Sequence, residues 1–198
     1  MMADYTTLAN LKLAMSAQSL ATNASDDTWL EQLIDAASAW IDARAGKSFV
    51  AASGTRYYDV PENGSRKLYM GNDWFTSVTS VTNGNGTVIP STEYYLWPRN
   101  TAQHNAIVLN AGSTYAWEAD DDSYNEGAIT VVANFGWSTA APADIRTACE
   151  MICVNMYRNR GGQGTEGAAT ITGAGVVITP RDIPAGAVAI VDAYKGVL

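Results

Sequence analysis

The sequence predicts an α+β fold, in which N-terminal and C-terminal helices form a helical core and an antiparallel β-sheet lobe is inserted between them. Near both ends of the chain, apolar residues recur every three or four positions, which is the period of an amphipathic helix. Between residues 48 and 137 they fall instead in short runs rich in β-branched and aromatic residues, separated by turn-forming clusters. We therefore expect residues 1–47 and 138–160 to form one helical core, residues 48–137 the β lobe, and residues 161–198 a glycine-rich tether with a C-terminal segment.

The composition limits the size of the protein and the class of its partners. A chain of 198 residues fits one domain, or one domain with a lobe, and a hydrophobic fraction of 47% is too high for a disordered polymer. The 20 Asp and Glu outnumber the 12 Lys and Arg, and the formal net charge is -8. This balance argues against a protein that coats nucleic acid electrostatically, because phosphate binding depends on clustered cations.

The sequence contains no segment typical of membrane insertion or secretion. No stretch approaches the ~18–20 uninterrupted apolar residues that cross a bilayer. The N-terminal sequence MMADYTTLANLK lacks both the basic and the apolar region of a secretory signal. We expect no membrane partner, and synthesis in the cytoplasm.

The first predicted helix follows the N-terminus directly. Leu8, Leu11 and Met15 lie on one helical stripe, and either Thr6 or Thr7 is placed to cap its first turn. This segment therefore predicts a short amphipathic helix.

A polar stretch over residues 16–27 predicts a linker, and a longer helix follows it. Thr28 and Glu31 have the spacing of a capping box, in which each side chain satisfies the other residue's free backbone N–H. Gly46 supplies a C-terminal stop. The apolar face of this helix is formed by Leu30, Leu33, Ile34, Ala37 and Ile41.

The middle of the chain predicts an antiparallel sheet with one buried side. The cluster Asn83-Gly84-Asn85-Gly86 between two β-branched runs is a strong hairpin signal, because Asn and Gly tolerate positive φ. The last run alternates between apolar and polar positions, as a half-buried antiparallel strand does. Its apolar positions are Ile129, Val131, Ala133, Phe135 and Trp137.

Helical periodicity returns at Pro142, a residue favoured at the first helical position. Asp144 in the first turn, and Arg158 and Arg160 in the last, complement the helix dipole. The buried stripe is predicted to be Ile145, Cys149, Ile152, Cys153 and Met156.

The C-terminal part begins with a glycine-rich interruption over residues 161–170. The apolar run ITGAGVVIT that follows predicts a strand, and Pro184 opens a short terminal helix.

Two motifs suggest ligand binding, but each lacks residues that the corresponding binding site requires. The strings NGNG and GGQG lack the Gly-Lys-Ser/Thr ending of a phosphate-binding loop. The acidic run over residues 118–126 does not supply both the central Gly and the final Glu of an EF-hand. A solvated hairpin loop is the favoured reading of this run, and a non-standard calcium site stays an alternative.

The residue types needed for metal binding or acid–base catalysis are scarce. His104 is the single histidine, next to a predicted strand, and its favoured role is to stabilise a loop. Cys149 and Cys153 share a helical face, where buried cysteines behave as small hydrophobic residues. We expect no metal, no cofactor and no enzymatic activity.

Four tryptophans fall in the β region, namely Trp74, Trp97, Trp117 and Trp137. Trp in short strands more often fills a sheet core or a subunit interface. The alternatives are a tail or baseplate module that binds carbohydrate through a tryptophan-rich sheet, and, more remotely, a glycosidase that uses carboxylates such as Glu93 and Glu118.

Five segments, taken in order, resemble a known family. YTTLANLK is similar to the family's opening helix, and DDTWLEQLIDAASAWIDARAGKSF to its second helix. SVTSVTNGNGTVIPSTEYYLWP resembles its hairpin, and PADIRTACEMICVNMYRNR its long third helix. The tail DIPAGAVAIVDAYKG resembles its terminal signature, with Lys195 in place of Arg. The family is that of the head–tail connector (adaptor) proteins of long-tailed phages and gene-transfer particles, in the longer form with a β insertion.

The resemblance implies a structural function. Copies of the protein are expected to form a ring, dodecameric in the virion, beneath the portal. The ring would extend the DNA channel, through which DNA passes without sequence-specific binding, and would provide the docking platform for a stopper or tail-terminator protein. The family has no enzymatic activity. The expected location is the capsid–tail junction of the virion, after synthesis in the cytoplasm of the bacterial host.

The resemblance also implies a partner interface at the C-terminus. In the family this segment engages the portal, so we expect residues 179–198 to order on the portal or on a neighbouring subunit. The alternative is a terminal helix packed on its own core. The interface residues would be Arg181, Ile183, Pro184, Val188, Ile190, Val191, Tyr194 and Lys195.

Contacts between subunits need complementary surfaces, because ring contacts join different patches of each copy. We expect basic residues at a helix end to meet acidic residues of a β loop. The candidate charges are Arg158 and Arg160 on one side and Asp120, Asp121 and Asp122 on the other.

Overall fold

A computed structural model of the chain describes residues 3–20, 22–119, 125–159, 170–172, 175–177 and 183–195. The chain divides into two compact units. The helical unit comprises Met1–Gly46 with Ala141–Leu198, and the β unit comprises Lys47–Ala140. Helices and antiparallel sheets occur together, which confirms the α+β prediction.

The helical unit is built from four helices in its described part, and segments from both ends of the chain supply them. The helices are α1 (Leu8–Ser16), α2 (Asp27–Ala45), α3 (Ala143–Arg158) and α4 (Ala185–Asp192). Helix α3 packs against α1, α2 and α4. The predicted apolar faces of α2 and α3 are buried throughout, because their three-to-four-residue spacing places them on the sides where the helices meet.

The helix ends differ in part from the prediction. Thr7 caps α1, since its Oγ1 accepts a hydrogen bond from the backbone of Asn10 at 3.2 Å. The capping box predicted for Thr28 and Glu31 is wrong, because α2 is already helical at Asp27. A reciprocal cap lies earlier, at Asn23, where it starts a 3-10 turn over Ala24–Asp26.

Two smaller predictions, about the linker before α2 and the start of α3, also change. The 3-10 turn lies inside the predicted linker over residues 16–27, and Pro142 is the N-cap of α3 instead of its first helical residue. Gly46 ends α2 with φ of 69°, as predicted. Residues 170–172 and 175–177 form a short antiparallel pair, β7 (Thr170–Thr172) and β8 (Gly175–Val177).

The β unit contains two three-stranded antiparallel sheets. The first has the order β1 (Ala52–Tyr58), β6 (Ile129–Phe135) and β3 (Phe75–Thr82). The second has the order β2 (Lys67–Tyr69), β5 (Ala106–Leu109) and β4 (Tyr94–Trp97). One apolar core is shared by both sheets, and its largest members include Leu68, Phe75, Ile107, Ile129 and Phe135.

Strand β6 confirms the predicted alternation. Ile129, Val131, Ala133 and Phe135 are buried, whereas the residues between them are half-buried. Trp137 lies beyond the end of the strand and is half-buried. Because side chains alternate along a strand, one face of β6 lies on the core and the other does not.

The Asn-Gly cluster forms the predicted turn after β3, and Gly86 adopts φ of 79°. The chain then returns beside β3 through the single bridge Thr82–Val88, so the run TVI does not form a full strand. The amide of Ile89 donates to Val81 O at 2.9 Å, which extends this pairing by one more bond.

Gly136 is required by its surroundings. Its φ is 145°, a value that L side chains rarely adopt, and its amide donates to Trp74 O at 2.7 Å. A Cβ at this position would lie 2.5 Å from Ala51 Cα and 2.6 Å from Val50 O. Both contacting atoms belong to the backbone, so they cannot be displaced by a change of side-chain rotamer.

We predict that Gly136→Ala lowers the free energy of unfolding by about 2–4 kcal/mol, from backbone strain and steric overlap together. Urea unfolding followed by circular dichroism measures it. Gly112→Ala is the matched control, because a Cβ there meets no atom within 4 Å. Equal stability of the two variants would contradict the requirement for glycine at 136.

Candidate interaction surfaces

The residues considered for metal binding or catalysis take structural positions. His104 Nδ1 lies 2.8 Å from Pro98 O, and the ring of His104 packs against Phe75. Cys149 and Cys153 are buried in α3, where the hydrogen bond between them and their burial raise the pKa of Cys153. Among the described residues no three His, Cys, Asp or Glu side chains form a group that would hold a metal ion. Within the same residues, no helix is long and apolar enough to cross a membrane.

The tryptophans do not form a common platform. Trp117 is only 8% exposed, and its Nε1 donates to Arg66 O at 3.0 Å. Trp74 is buried with its ring 4.9 Å from that of Trp137, and Lys47 Nζ lies 4.5 Å from the centre of the Trp137 ring. Trp97 is 44% exposed and is the most exposed of the four. A carbohydrate site made by all four residues is therefore not present.

The two carboxylates considered for glycosidase chemistry lie at different turns of the β unit. Glu118 accepts a hydrogen bond from Asn85 in the hairpin turn, and its backbone N–H is bonded to Asn83 Oδ1 at 3.3 Å. Glu93 lies in a 3-10 turn, where its carbonyl accepts from Asn110 N at 2.8 Å.

The C-terminal helix α4 packs on its own unit. Ala187 and Val191 are fully buried, and Ile183 is nearly so. Gly186 approaches α3 closely, because a Cβ there would lie 2.8 Å from Met151 Cε. An isolated helix of eight residues is marginal in water, whereas each buried Val or Ile side chain contributes about 1.5–3 kcal/mol. Packing on α2 and α3 therefore holds α4 in place, which is the alternative considered for the C-terminal segment.

Polar contacts fasten the end of α4. The Arg44 guanidinium donates to both carboxylate oxygens of Asp192, at 2.9 and 2.7 Å, and Lys195 Nζ lies 3.0 Å from Asp192 Oδ1. These bonds hold the pKa of Asp192 below its ordinary value. Tyr194 OH donates to Asp144, 2.8 Å from Oδ2, while partial burial and this carboxylate raise the pKa of Tyr194 to about 12.

The predicted partner-interface residues divide into an inner and an outer set. Ile183 and Val191 are buried in the helical unit. Arg181 lies outside the described residues. The half-exposed or exposed set comprises Pro184, Val188, Ile190, Tyr194 and Lys195.

The predicted subunit-contact charges are described only in part. Arg158 is exposed and donates to Gln18 Oε1 at 2.7 Å. Arg160, Asp120, Asp121 and Asp122 lie outside the described residues.

One surface of the β unit was not predicted from the sequence. The outer side of the sheet β2–β5–β4 carries Tyr69, Tyr95 and Trp97 together with the cations Lys67 and Arg99, and we call these five residues the cation–aromatic face. Lys67 Nζ lies 5.8 Å from the ring centre of Tyr69 and 5.3 Å from that of Trp97, and Arg99 Cζ lies 3.9 Å from that of Tyr95. The period-two spacing of 67 with 69, and of 95 with 97, is the only signal of it in the sequence.

A second missed surface lies on the helical unit. The Asp4 carboxyl neighbours those of Asp35 and Glu31, and we call these three residues the acidic cluster. Partial burial, the interaction with Asp35 and repulsion from both neighbours raise the pKa of Asp4. The spacing of 31 and 35 on one side of α2 indicates two of its members, but nothing local indicates Asp4.

We predict that Asp192→Asn lowers stability near neutral pH, because the lowered pKa of Asp192 shows that folding favours its charged form. The contribution is complete above the ordinary carboxyl pKa of about 3.9 and is lost as pH falls through the lower folded-state value. Thermal unfolding from pH 7 to pH 3 measures it. The deficit against the unsubstituted protein should shrink below about pH 4. A deficit that does not change with pH, or one equal to that of Glu62→Gln, would contradict the ion pair's role.

We predict unequal effects of truncating two tryptophans. Trp117→Ala should cost about 3–5 kcal/mol of unfolding free energy, as core Trp truncations do, and Trp97→Ala less than about 1 kcal/mol. Urea unfolding of both variants tests the difference. Similar costs would mean that the burial of Trp117 does not matter to stability.

Comparison with known proteins identifies the family and the fold. The family model "Head completion protein" matches residues 7–197. A search of curated proteins finds no match.

Three solved structures share the fold at 18% sequence identity. A chain of "Virion of native gene transfer agent (GTA) particle" has a TM-score of 0.59, covering 98% of this chain and 91% of that chain. A chain of "Neck of empty GTA particle computed with C6 symmetry" has a TM-score of 0.57, covering 100% and 96%. A chain of "Neck of native GTA particle computed with C12 symmetry" has a TM-score of 0.50 with the same coverage. Because the family match spans nearly the whole sequence, the chain belongs to the head completion protein family, and its resemblance to head–tail connector proteins is confirmed.

Proposed function

We propose that the protein is a structural head–tail connector that assembles as a dodecameric ring in the virion, between the portal and the tail. The observation that carries the proposal is the family match over residues 7–197, together with a fold shared along the whole chain with neck components of gene transfer agent particles. Those necks were computed with six-fold and twelve-fold symmetry. A ring of twelve copies is compatible with both symmetries, since six divides twelve.

In this proposal the ring extends the DNA channel of the portal and offers a platform to a stopper or tail-terminator protein. The formal net charge of -8 favours passage of DNA without sequence-specific binding, because few cations are available to displace the counterions of the phosphates. The protein works by fitting against its neighbours and turns over no substrate. It is made in the cytoplasm of the bacterial host and resides at the capsid–tail junction.

We further propose that the C-terminal segment, residues 179–198, contacts the portal. Helix α4 is held to its own unit by its inner residues, while Val188 and Ile190 remain half-exposed beside the exposed Ala185 and Ala189. A short helix that is already ordered loses little conformational entropy when a partner covers its outer side. The contact would therefore use the outer residues and leave Val191 in the core.

The proposed function is tested in particles produced without this protein. Such particles should lose their packaged genomes and fail to join tails, and supplying the unchanged protein in trans should restore both. Electron microscopy of the restored particles should show its ring next to the portal. Particles that lack the protein but retain genomes and join tails normally would overturn the proposal.

We predict that Ala189→Glu weakens portal binding at least about tenfold, because it would place an unpaired charge in the covered contact. Ala189 is exposed, so the unfolding midpoint should not change. Sedimentation of the purified variant with portal measures the binding. Ala9→Glu, at an exposed position of α1, is the matched control. Unchanged portal binding by Ala189→Glu would rule out a contact through the outer side of α4.

A further inference from the structure

We propose that the cation–aromatic face of one copy docks on the acidic cluster of the adjacent copy, and that this contact joins neighbouring subunits. The inference rests on the proposed ring and specifies which surfaces close it. Its members are Lys67, Tyr69, Tyr95, Trp97 and Arg99 on one copy and Asp4, Glu31 and Asp35 on the next.

Strand register builds the cation–aromatic face. Tyr69 and Trp97 both pair with Ala106, and Lys67 and Tyr95 both pair with Val108, so two rows of side chains cross the sheet. The row between them, formed by Leu68, Ile107 and Leu96, points into the core or packs against it. Because side chains alternate along a strand, the aromatic rows must point away from that core.

The face is exposed to an extent that calls for a partner. Tyr69 is 49% exposed and Trp97 44%, and the ammonium of Lys67 lies near both rings. Tyr, Trp and Arg are enriched in protein interfaces, and a large aromatic side chain left in water loses the free energy of its burial. An open cleft of about 710 Å³ adjoins the face and is lined in part by Lys67, Tyr69 and Tyr57. The surface there is therefore concave and not flat.

The two cations of the face make no ion pair with any described residue. They stack on aromatic rings, which leaves their charge available to a carboxylate from outside the β unit. The chemistry that fits this surface is therefore a partner that presents acidic side chains.

The acidic cluster provides such a partner within the same chain type. Its three carboxylates lie on exposed residues and make no ion pair among the described residues. The segment that carries Asp4 is fixed beside α2, because Tyr5 is buried and its backbone N–H donates to Ser38 Oγ at 3.1 Å. Like charges held together in this way repel one another, and a cation brought by a neighbour relieves the repulsion.

The two surfaces are different patches of opposite charge, so in the proposed ring each copy offers its face to one neighbour and its cluster to the other, which is a heterologous contact. Such a contact repeats from one subunit to the next and closes into a ring when the rotation allows it.

The test exchanges the charges of the two surfaces in full-length protein supplied to particles that lack it. The face variant is Lys67→Glu with Arg99→Glu, and the cluster variant is Glu31→Lys with Asp35→Lys. Each variant alone should reduce the ring seen in the neck, and the yield of tailed particles, at least about tenfold. The two variants supplied together should restore both, because reversed faces then meet reversed clusters in alternate subunits.

Controls separate folding, function and the proposed contact. Arg146→Glu reverses an exposed cation of α3 outside both surfaces and should assemble normally. Urea unfolding checks that each variant folds, and Lys67→Gln with Arg99→Gln provides a milder face variant that should weaken the ring several-fold.

Two outcomes overturn the inference while the proposed function stands. They are normal rings from either variant alone, and failure of the mixture to restore the ring. If the face variant forms normal rings but loses binding to short duplex DNA, the face is a nucleic-acid surface instead. If the unchanged protein itself forms no ring in necks, the proposed function fails, and that result is read independently of the variants.

Discussion

The β unit depends on a backbone clamp that joins its two ends. Trp137 and Ser138 donate to Ser48 O and Phe49 O, at 2.9 and 3.1 Å, and Ala51 donates back to Ser138 O at 2.7 Å. Phe49 between them is fully buried. This clamp brings the first and last segments of the inserted unit together, so helices from both ends of the sequence are able to share one core.

Gly136 makes the clamp possible at its tightest point. Its positive φ lets the chain leave β6 and pass against the backbone of Val50 and Ala51 without a side chain in the way. Its amide also bonds to Trp74, which ties the clamp to the start of β3. The insertion is thereby closed by backbone hydrogen bonds, while its interior is filled by side chains from both sheets.

The exterior of the protein shows how a chain with net negative charge still presents a cationic surface. Lys67 and Arg99 stack on aromatic rings at the surface. Arg44 and Arg56 instead form ion pairs with carboxylates of their own units. One such pair, between Arg44 and Asp192, fastens helix α4 to the helical unit, while Ala185 and Ala189 on its outer side stay exposed.

The sequence by itself determined the elements whose signal is local. The apolar stripes of α2 and α3, the alternation along β6, the turn at Asn83 and the helix stop at Gly46 each follow from residues a few positions apart, and all are present. The order of these segments also sufficed to identify the family. The errors at Thr28 and Pro142 are shifts of helix ends by one or two residues, the least certain part of any helix assignment.

Tertiary structure alone decided which of several similar residues became surface and which became core. Trp117 and Trp97 have comparable neighbours in the sequence, yet Trp117 is enclosed between the sheets and Trp97 faces outwards because of the register of β4 on β5. Asp4 lies near Glu31 and Asp35 because Tyr5 docks on α2, and the inner side of α4 is buried because the helix packs on α2 and α3. Each of these outcomes depends on contacts between distant parts of the chain, and a local pattern carries no information about them.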